Sequence, residues 1–556
     1  MPRFPASRAA LILVFATLVP ILFASLDPAV AAASSASSTT GPASRATGVA
    51  TPPAAVPAST SVVASSPPKG MGEAAASLTS RTNVVVSTTQ PLDPATGKPS
   101  TGQSIVQAWI RSPSATTWPA PVNVLAPGLT RSYDPATAVL PDGTVLISAG
   151  AAPAGAGACL PHSSVILARA GVRGGSALSA PVVVDDERHA GSFDDRPIVA
   201  TSKTGTVWVA WSQGTSSSNC QLVGSTDQIN FTTSSDQGLT FAPKVALPRS
   251  GPGGAFGVRI VPLGSGQAFM SWSEMSPDHR TDRVVTMVVS SDGHHGPPKV
   301  IWSGAAIAQT LPGASFYSFT LATSTPFDAQ SLSDQTTPGQ SNVGQASGGG
   351  LALAWPTESN GSSVIDLAIS RDGGGTWTMS QVAPDPGSDL LLPELAATGD
   401  HRLLLVYAQH GRSGDTVGYL ARYVDLSSAQ AVVGPPSALT TALPGPGYLE
   451  LGEFLFLSAS DHVITGSVVG AGNSGAQLLE FTWPLAAEPA ATASDSSGLI
   501  GDLGGAGHDR FGTYVLFAGL IVILVLALGL TAGALRRHRP DRTGPGAPHR
   551  RPGPRP

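Results

Sequence analysis

The stretch Ala368-Ile369-Ser370-Arg371-Asp372-Gly373-Gly374-Gly375-Thr376-Trp377 joins two short apolar segments with the pattern Ser-x-Asp-x-Gly-x-Thr-Trp. An Asp at the start of a turn accepts hydrogen bonds from the backbone N–H groups that follow it. Glycine supplies the positive φ of a tight hairpin. The same order recurs at Ser234-Ser235-Asp236-Gln237-Gly238-Leu239-Thr240-Phe241. We therefore predict two β-hairpin turns, each opened by an Asp.

A second repeat runs through the middle of the chain with a period near sixty residues. Its clearest element is an apolar strand, found at 143–148, 205–212, 267–273, 351–355, 403–407 and, less regularly, 463–469. A short strand precedes each copy, often opened by Pro as in Asp134-Pro135 and Arg196-Pro197, and two more strands follow. Four short strands per repeat are typical of a propeller blade.

The predicted fold is all-β, a six-bladed β-propeller over residues 81–485. Five blades lie between about 130 and 440, and the sixth combines strands within 449–484 with N-terminal strands within 104–125. Closure by both ends of the folded part removes unpaired sheet edges. The wide spacing between Trp272 and Trp355 predicts an insertion, with 330–347 as an exposed polar loop.

The hairpin motifs resemble the Asp box, or BNR repeat, of sialidases and related propellers. The resemblance covers Ser234, Asp236, Gly238, Thr240, Phe241, Ser370, Asp372, Gly375, Thr376 and Trp377. In those proteins the box is a structural hairpin on the face away from the active site. A sialidase-like propeller is the fold that this resemblance implies.

Both ends of the chain indicate export and membrane anchoring. Residues 1–31 combine a basic start, an apolar core and a small-residue cleavage site, which is typical of a signal peptide. Residues 511–535 carry no charge and are long enough to cross a bilayer, and the basic tail 536–556 predicts a cytoplasmic C-terminus. Residues 32–80, rich in Ser, Thr, Ala and Pro, are predicted to be a disordered stalk, and 486–510 a juxtamembrane linker.

Composition excludes some functions and constrains others. The net charge of −5 despite the basic tail leaves an acidic external part, which argues against nucleic-acid binding. The two cysteines, Cys159 and Cys220, fall in corresponding loops of neighbouring blades and could form a disulfide outside the cell. His162, His294 and His295 lack metal-ligand spacing, and we expect neither a metal nor a cofactor.

The resemblance also suggests catalytic positions. Arg196 lies near the place of a sialidase arginine that binds the substrate carboxylate, and Arg259 is a second candidate for this role. Asp227 is closest to the general acid, Tyr448 to the nucleophile, and Glu450 to its base. The match is incomplete, because Ser212-Gln213-Gly214-Thr215 stands where the family has an acidic residue and an arginine.

The sequence is compatible with three functions. The first is a membrane-anchored propeller that binds an extracellular glycan or protein without turnover. The second is an exo-acting glycoside hydrolase of the sialidase type, and the third is a structural protein of the cell surface. The incomplete arginine set favours binding or structure over catalysis.

Overall fold

The structure is a computed structural model. It describes residues 51–65, 71–89, 104–153, 163–171, 177–187, 192–215, 227–263, 266–277, 281–305, 330–334, 350–398, 402–413, 416–426, 430–440, 443–444, 456–459, 463–472 and 475–484. These residues form β-strands and connections, and none of them belongs to a helix that could cross a membrane. The predicted signal peptide, linker, membrane segment, basic tail and both cysteines lie outside the described residues.

The strands form seven antiparallel sheets, each of which is one blade. Blade 1 contains β2 (Met71–Leu78), β3 (Asn83–Thr89), β4 (Ile105–Arg111) and β5 (Val122–Asn123). Blade 2 contains β6 (Arg131–Val139), β7 (Val145–Ala152), β8 (Ser163–Ala170) and β9 (Val182–Glu187). Blade 3 contains β10 (Ser192–Thr201), β11 (Val207–Thr215), β12 (Gln228–Ser234) and β13 (Val245–Ala246).

The next three blades repeat this order. Blade 4 contains β14 (Gly254–Leu263), β15 (Gln267–Met275), β16 (Thr281–Ser290) and β17 (Lys299–Ala305). Blade 5 contains β18 (Gln330–Asp334), β19 (Gly350–Ser359), β20 (Ser362–Ser370) and β21 (Thr378–Val382). Blade 6 contains β22 (Ser388–Ala397), β23 (Arg402–Gly411), β24 (Thr416–Asp425), β25 (Val432–Val433), β26 (Ser437–Ala438) and β27 (Leu443–Pro444).

Blade 7 closes the ring with strands from both ends of the folded part. It contains β28 (Phe456–Ala459), β29 (Val463–Gly472), β30 (Gly475–Pro484) and, as its outer strand, β1 (Ser59–Ser65). Ser59 pairs with Thr482, and the first strands of blades 6, 7 and 1 contact one another in sequence. The fold is therefore a seven-bladed β-propeller, and the prediction of six blades is wrong.

The missed blade lies partly in the predicted stalk. Strands β1 and β2 fall within residues 32–80, so the prediction of disorder is wrong for Ser59–Ser65 and Met71–Leu78. Ala74, Ala75, Ala76 and Ser77 are all buried, because the inner strands of a closed ring approach closely and leave room only for small side chains. Strands β4 and β5, predicted to complete the last blade, belong with β2 and β3 instead.

The predicted loop at 330–347 also needs correction. Its first residues, Gln330–Asp334, form β18, the inner strand of blade 5, and pair with β19. Residues 330–334 therefore belong to a blade and not to an exposed loop.

The core lies between neighbouring blades. Corresponding positions of four second strands hold buried aromatic rings, namely Trp211, Trp272, Trp355 and Tyr407. Each ring belongs to a different apolar cluster. The apolar repeat seen in the sequence therefore marks the side chains that pack one blade onto the next.

Candidate site at the upper end of the propeller

The antiparallel order of the strands gives the propeller two distinct ends. The upper end is defined by the start of the inner strands, at Arg131, Ser192, Gly254 and Ser388. Because the strands alternate in direction, the connections between second and third strands lie at this end as well. The turns between third and fourth strands, including those at Asp236 and Asp372, lie at the opposite, lower end.

Four inner strands share an irregularity near the upper end. Each has a register shift at a residue with positive φ, namely Asp134, Arg196, Gly257 or Leu392. Proline follows three of these residues. A bulge redirects the side chains next to it, so this repeated feature sets which groups face the centre of the ring.

Charged side chains are buried along the inner strands and around the upper end. The buried set among the described residues includes Asp134, Asp194, Asp195, Arg196, Asp227, Arg259, Glu274, Asp282, Asp389, Glu394 and His410. Lower-end aspartates such as Asp142, Asp292 and Asp372 are exposed. Buried charge requires specific partners, and the upper end provides them.

Asp194 is the most enclosed carboxyl of this group and has no exposed surface. Its Oδ1 accepts hydrogen bonds from Trp211 Nε1 at 3.0 Å and from Gln213 Nε2 at 2.9 Å. Its backbone N–H donates to the Ser163 hydroxyl of blade 2. Burial, and then the charge of Asp185, raise the pKa of Asp194 to about 8 despite these bonds.

An aromatic pair lies beside Asp194. The rings of Tyr133 and Phe193 stack with centroids 5.8 Å apart, and the Tyr133 hydroxyl donates to the Asp194 carbonyl at 3.0 Å. Burial, and then the charges of Asp194, Asp134 and Asp195, hold the pKa of Tyr133 well above its usual range. Three carboxyls therefore act on one phenol through their charge.

The structure brings two predicted site residues, Arg196 and Asp227, to the upper end of blade 3. Arg196 has φ 51°, and its Nε is 3.7 Å from Asp195 Oδ2. Asp227 precedes β12, and its carbonyl accepts from the Ala255 N–H of blade 4 at 3.0 Å. Its carboxyl lies against Gly214, where a Cβ would come within 2.6 Å of Asp227 Oδ1.

Arg259, the third predicted residue that is described, lies in the inner strand of blade 4, which contacts the inner strand that carries Arg196. Its Nη2 is 4.0 Å from Glu394 Oε2, and both side chains are almost fully buried. Glu394 comes from blade 6, so this ion pair reaches past the inner strand of blade 5. Tyr448 and Glu450, the predicted nucleophile and base, lie outside the described residues.

Asp134, Asp194 and Glu394 were missed by sequence reasoning. All three lie in short strands that contain Pro, at Asp134-Pro135, Asp194-Asp195-Arg196-Pro197 and Pro393-Glu394. A charge inside such an apolar strand is a signal that could have identified them. Their partners come from distant parts of the chain and leave no local trace.

A second polar cluster joins blades 5 and 6 at the upper end. Asp389 pairs with Arg412, lies 3.6 Å from His410 Nδ1, and accepts from the Ser363 N–H at 2.8 Å. Burial raises the pKa of Asp389, but the bonds from His410, Arg412 and Ser363 outweigh burial and hold it well below its ordinary value. This cluster stabilises a blade interface.

The lower-end turns have their own hydrogen bonds. Asp236 accepts from the Thr240 N–H at 2.9 Å and from its hydroxyl at 2.6 Å, and Asp372 makes the same pair with Thr376 at 2.8 and 2.7 Å. The bonds from Thr240 and Ser234 lower the pKa of Asp236, and those from Thr376 and Ser370 lower that of Asp372.

The glycine predicted for the motif in the turn at Asp372 is wrong by one residue. The Gly374 N–H donates to Ser370 Oγ at 2.7 Å, as the Gly238 N–H donates to Ser234 Oγ at 2.8 Å. Gly374, rather than the predicted Gly375, therefore corresponds to Gly238. Trp377 packs against Phe269 of the preceding blade, with ring centroids 6.0 Å apart.

The described residues contain no group of three or more His, Cys, Asp or Glu side chains that could hold a metal ion.

Solved structures with similarity to the chain include several carbohydrate-active enzymes. A protein of unknown function from Dyadobacter fermentans is 14% identical, with 65% of this chain and 100% of that chain covered and a TM-score of 0.42. A polysaccharide lyase, ulvan lyase, is 10% identical, with 64% and 78% covered and a TM-score of 0.41. The NanB sialidase of Streptococcus pneumoniae is 12% identical, with 77% and 70% covered and a TM-score of 0.36.

No family model matches the sequence, and no curated protein matches it. The structural similarities are too low to assign an activity to this chain, so its function has to be inferred from its own residues.

Proposed function

We propose that this propeller is an exported binding module, held at the cell surface by one membrane helix, that binds an extracellular glycan without cleaving it. The proposed site is the upper end of blades 2 and 3, around Arg196, Asp195 and Asp227. Export and anchoring rest on the signal-like segment 1–31 and the apolar segment 511–535.

The observation that supports binding rather than acid catalysis is the enclosure of Asp194, the carboxyl of this site whose pKa is raised. A general acid needs a raised pKa and must reach the leaving group within hydrogen-bond distance. Asp194 has the raised pKa, about 8, but no exposed surface, and its Oδ1 is held by Trp211 and Gln213. This carboxyl therefore supports the structure of the site and does not meet a substrate.

The chemistry around Asp194 supports a glycan as the ligand. Sugar hydroxyls both donate and accept hydrogen bonds, and carboxylate, amide and guanidinium groups are suitable partners. Asp195, Arg196, Gln213, Asp227 and Asn230 provide these groups within one blade. The Asn230 side chain bonds to Gln213 at 3.2 Å, which fixes the orientation of that amide.

A glycan array with the full chain in mild detergent tests this proposal, with bound and free sugars analysed by mass spectrometry. Retention of intact sugar, weakened in Asp227→Asn, is the expected result. The matched control is Asp292→Asn, an exposed lower-end aspartate, which should bind normally. Released monosaccharide would make the protein a glycoside hydrolase and overturn the proposal. Absence of any bound sugar would also overturn it and favour a protein partner or a structural role.

These experiments need a chain that begins before Ser59. A fragment starting at residue 81, the predicted domain boundary, lacks β1 and β2 and thus the outer strand of blade 7 and the inner strand of blade 1.

A further inference from the structure

The two arginines that resemble anion ligands already face carboxylates of the protein. Arg196 Nε is 3.7 Å from Asp195 Oδ2, and Arg259 Nη2 is 4.0 Å from Glu394 Oε2. All four side chains are buried. An incoming anion would have to share each guanidinium with an internal carboxylate that carries the same sign of charge.

Carboxylates also outnumber cations around these arginines. Asp134, Asp195 and Asp227 lie at the upper end of blades 2 and 3, together with Arg131 and Arg196. On the outer side, Lys244 Nζ is 2.9 Å from Asp185 Oδ2 and 2.8 Å from Glu187 Oε2, so that one cation is shared by two carboxylates. Among the described residues of this end, carboxylates therefore exceed cations, and their combined field is negative.

Resting on the glycan binding proposed above, we infer that this site selects uncharged sugars and rejects sugars that carry a carboxylate. Hydroxyl groups can donate to Asp195 and Asp227 and accept from Arg196 without adding charge. A sialic acid or uronic acid would bring a like charge into a poorly solvated, already paired site.

Matched sugars test this inference on the full chain in detergent. Each neutral oligosaccharide of an array, such as lactose, is compared with its sialylated form, such as 3′-sialyllactose, by equilibrium binding at low and high salt. We expect sialylated forms to bind about tenfold more weakly or worse, with a smaller difference at high salt because salt screens charge repulsion.

The variant Asp195→Asn removes one negative charge with little change of shape. Asp195→Asn should reduce the difference in affinity between neutral and sialylated sugars. Asp292→Asn at the lower end should leave this difference unchanged. If Asp195 had a purely structural role, Asp195→Asn would weaken the binding of both sugars equally, and that result would overturn the inference. A thermal melt of each variant checks that the fold is kept.

The failures of the two proposals can be told apart. Sialylated sugars binding as tightly as their neutral forms, or more tightly, would overturn the charge selectivity and leave glycan binding in place. No binding of any sugar in either series would overturn the proposed function, and the inference with it.

Discussion

The two ends of this propeller place the same amino acid in opposite environments. Asp194 at the upper end is enclosed, and burial raises its pKa to about 8. Asp236 and Asp372 at the lower end lie in turns, where hydrogen bonds from Thr, Ser and backbone N–H groups lower the pKa. One end keeps a carboxyl protonated, and the other keeps it ionised. Hydrogen-bond donors and solvent, rather than residue type, decide which state the fold favours.

The largest expected effect is an opposite response to pH of Asp194 and of the lower-end aspartates Asp236 and Asp372. The unfolded chain loses the Asp194 proton near pH 3.8, whereas the folded protein keeps it up to about pH 8. Stability contributed by Asp194 is therefore full below about pH 4 and is lost as the pH rises towards 8. The lower-end carboxylates contribute stability above their ordinary pKa and lose it as the pH falls below that value.

Asp194→Asn isolates this effect, because the amide oxygen can still accept from Trp211 and Gln213. Denaturant unfolding of the variant and the parent at several pH values should show the variant gaining relative stability from pH 4 to pH 8. At about 1.4 kcal/mol per pKa unit, the gain amounts to several kcal/mol. Asp142→Asn at the lower end is the control. A constant difference between Asp194→Asn and the parent would contradict the enclosed state of Asp194.

Two ion pairs of nearly equal length offer the next test. Arg259 and Glu394 are 4.0 Å apart and buried, while His294 and Asp292 are 3.9 Å apart and exposed. Arg259→Met should cost about 3 kcal/mol, since Glu394 loses its partner inside the protein. His294→Ala should change the free energy of unfolding by less than about 0.5 kcal/mol.

The double variant Arg259→Met/Glu394→Leu provides a check on that explanation. It should recover much of the loss, because no buried charge remains without its partner. Equal losses in Arg259→Met and His294→Ala would show that burial does not distinguish the two pairs.

Substitution of two neighbouring glycines in one lower-end turn is expected to give a smaller difference in stability. Gly373 and Gly374 both have positive φ, 70° and 91°. A Cβ on Gly374 would lie 2.9 Å from Phe269 Cε2 of the preceding blade, whereas a Cβ on Gly373 meets nothing within 4 Å. Gly373→Ala should cost about 1 kcal/mol from backbone conformation alone, and Gly374→Ala about 2 kcal/mol or more. Calorimetric melts of both variants decide whether the turn also packs the blades together.

The smallest effect is expected from a single hydroxyl of the other turn. Thr240→Val removes the 2.6 Å bond to Asp236 and should cost about 1 kcal/mol or less, because the turn keeps its other bonds. Thr240→Ser keeps the hydroxyl and should restore most of the loss in a thermal melt. A loss of stability in Thr240→Val as large as that in Arg259→Met would contradict the expectation that the buried ion pair contributes more than this turn.

Much of the fold could be predicted because its repeat is local. All six apolar segments recognised in the sequence are second strands of blades, from β7 to β29. The blade that was missed has Asn83–Thr89 as its second strand, with no Gly-Thr opening, and an inner strand of Ala and Ser. Composition suggested disorder there because small residues bury little area individually. Their burial depends on neighbours hundreds of residues away.

The site was less predictable because its side chains meet partners from distant parts of the chain. Arg196 and Asp227 could be chosen because they follow a family pattern within one blade. Asp194 owes its character to Trp211, Gln213 and Asp185, and Glu394 lies near Arg259 only once the ring has closed. Such environments arise from tertiary packing and cannot be read from the spacing of residues in one segment.

Ring closure by β1 and β30 also determines when the protein becomes a single cooperative unit. Ser59 Oγ and Thr482 Oγ1 lie 2.6 Å apart although 423 positions separate them in the chain. A chain growing from its N-terminus therefore has β1 available from the start, but β1 has no partner until almost all of the propeller has been synthesised. Contacts of such long range form slowly, and unpaired strand edges attract other chains in the meantime. We therefore expect correct folding to compete with aggregation through the unpaired edge of β1 until the chain is complete.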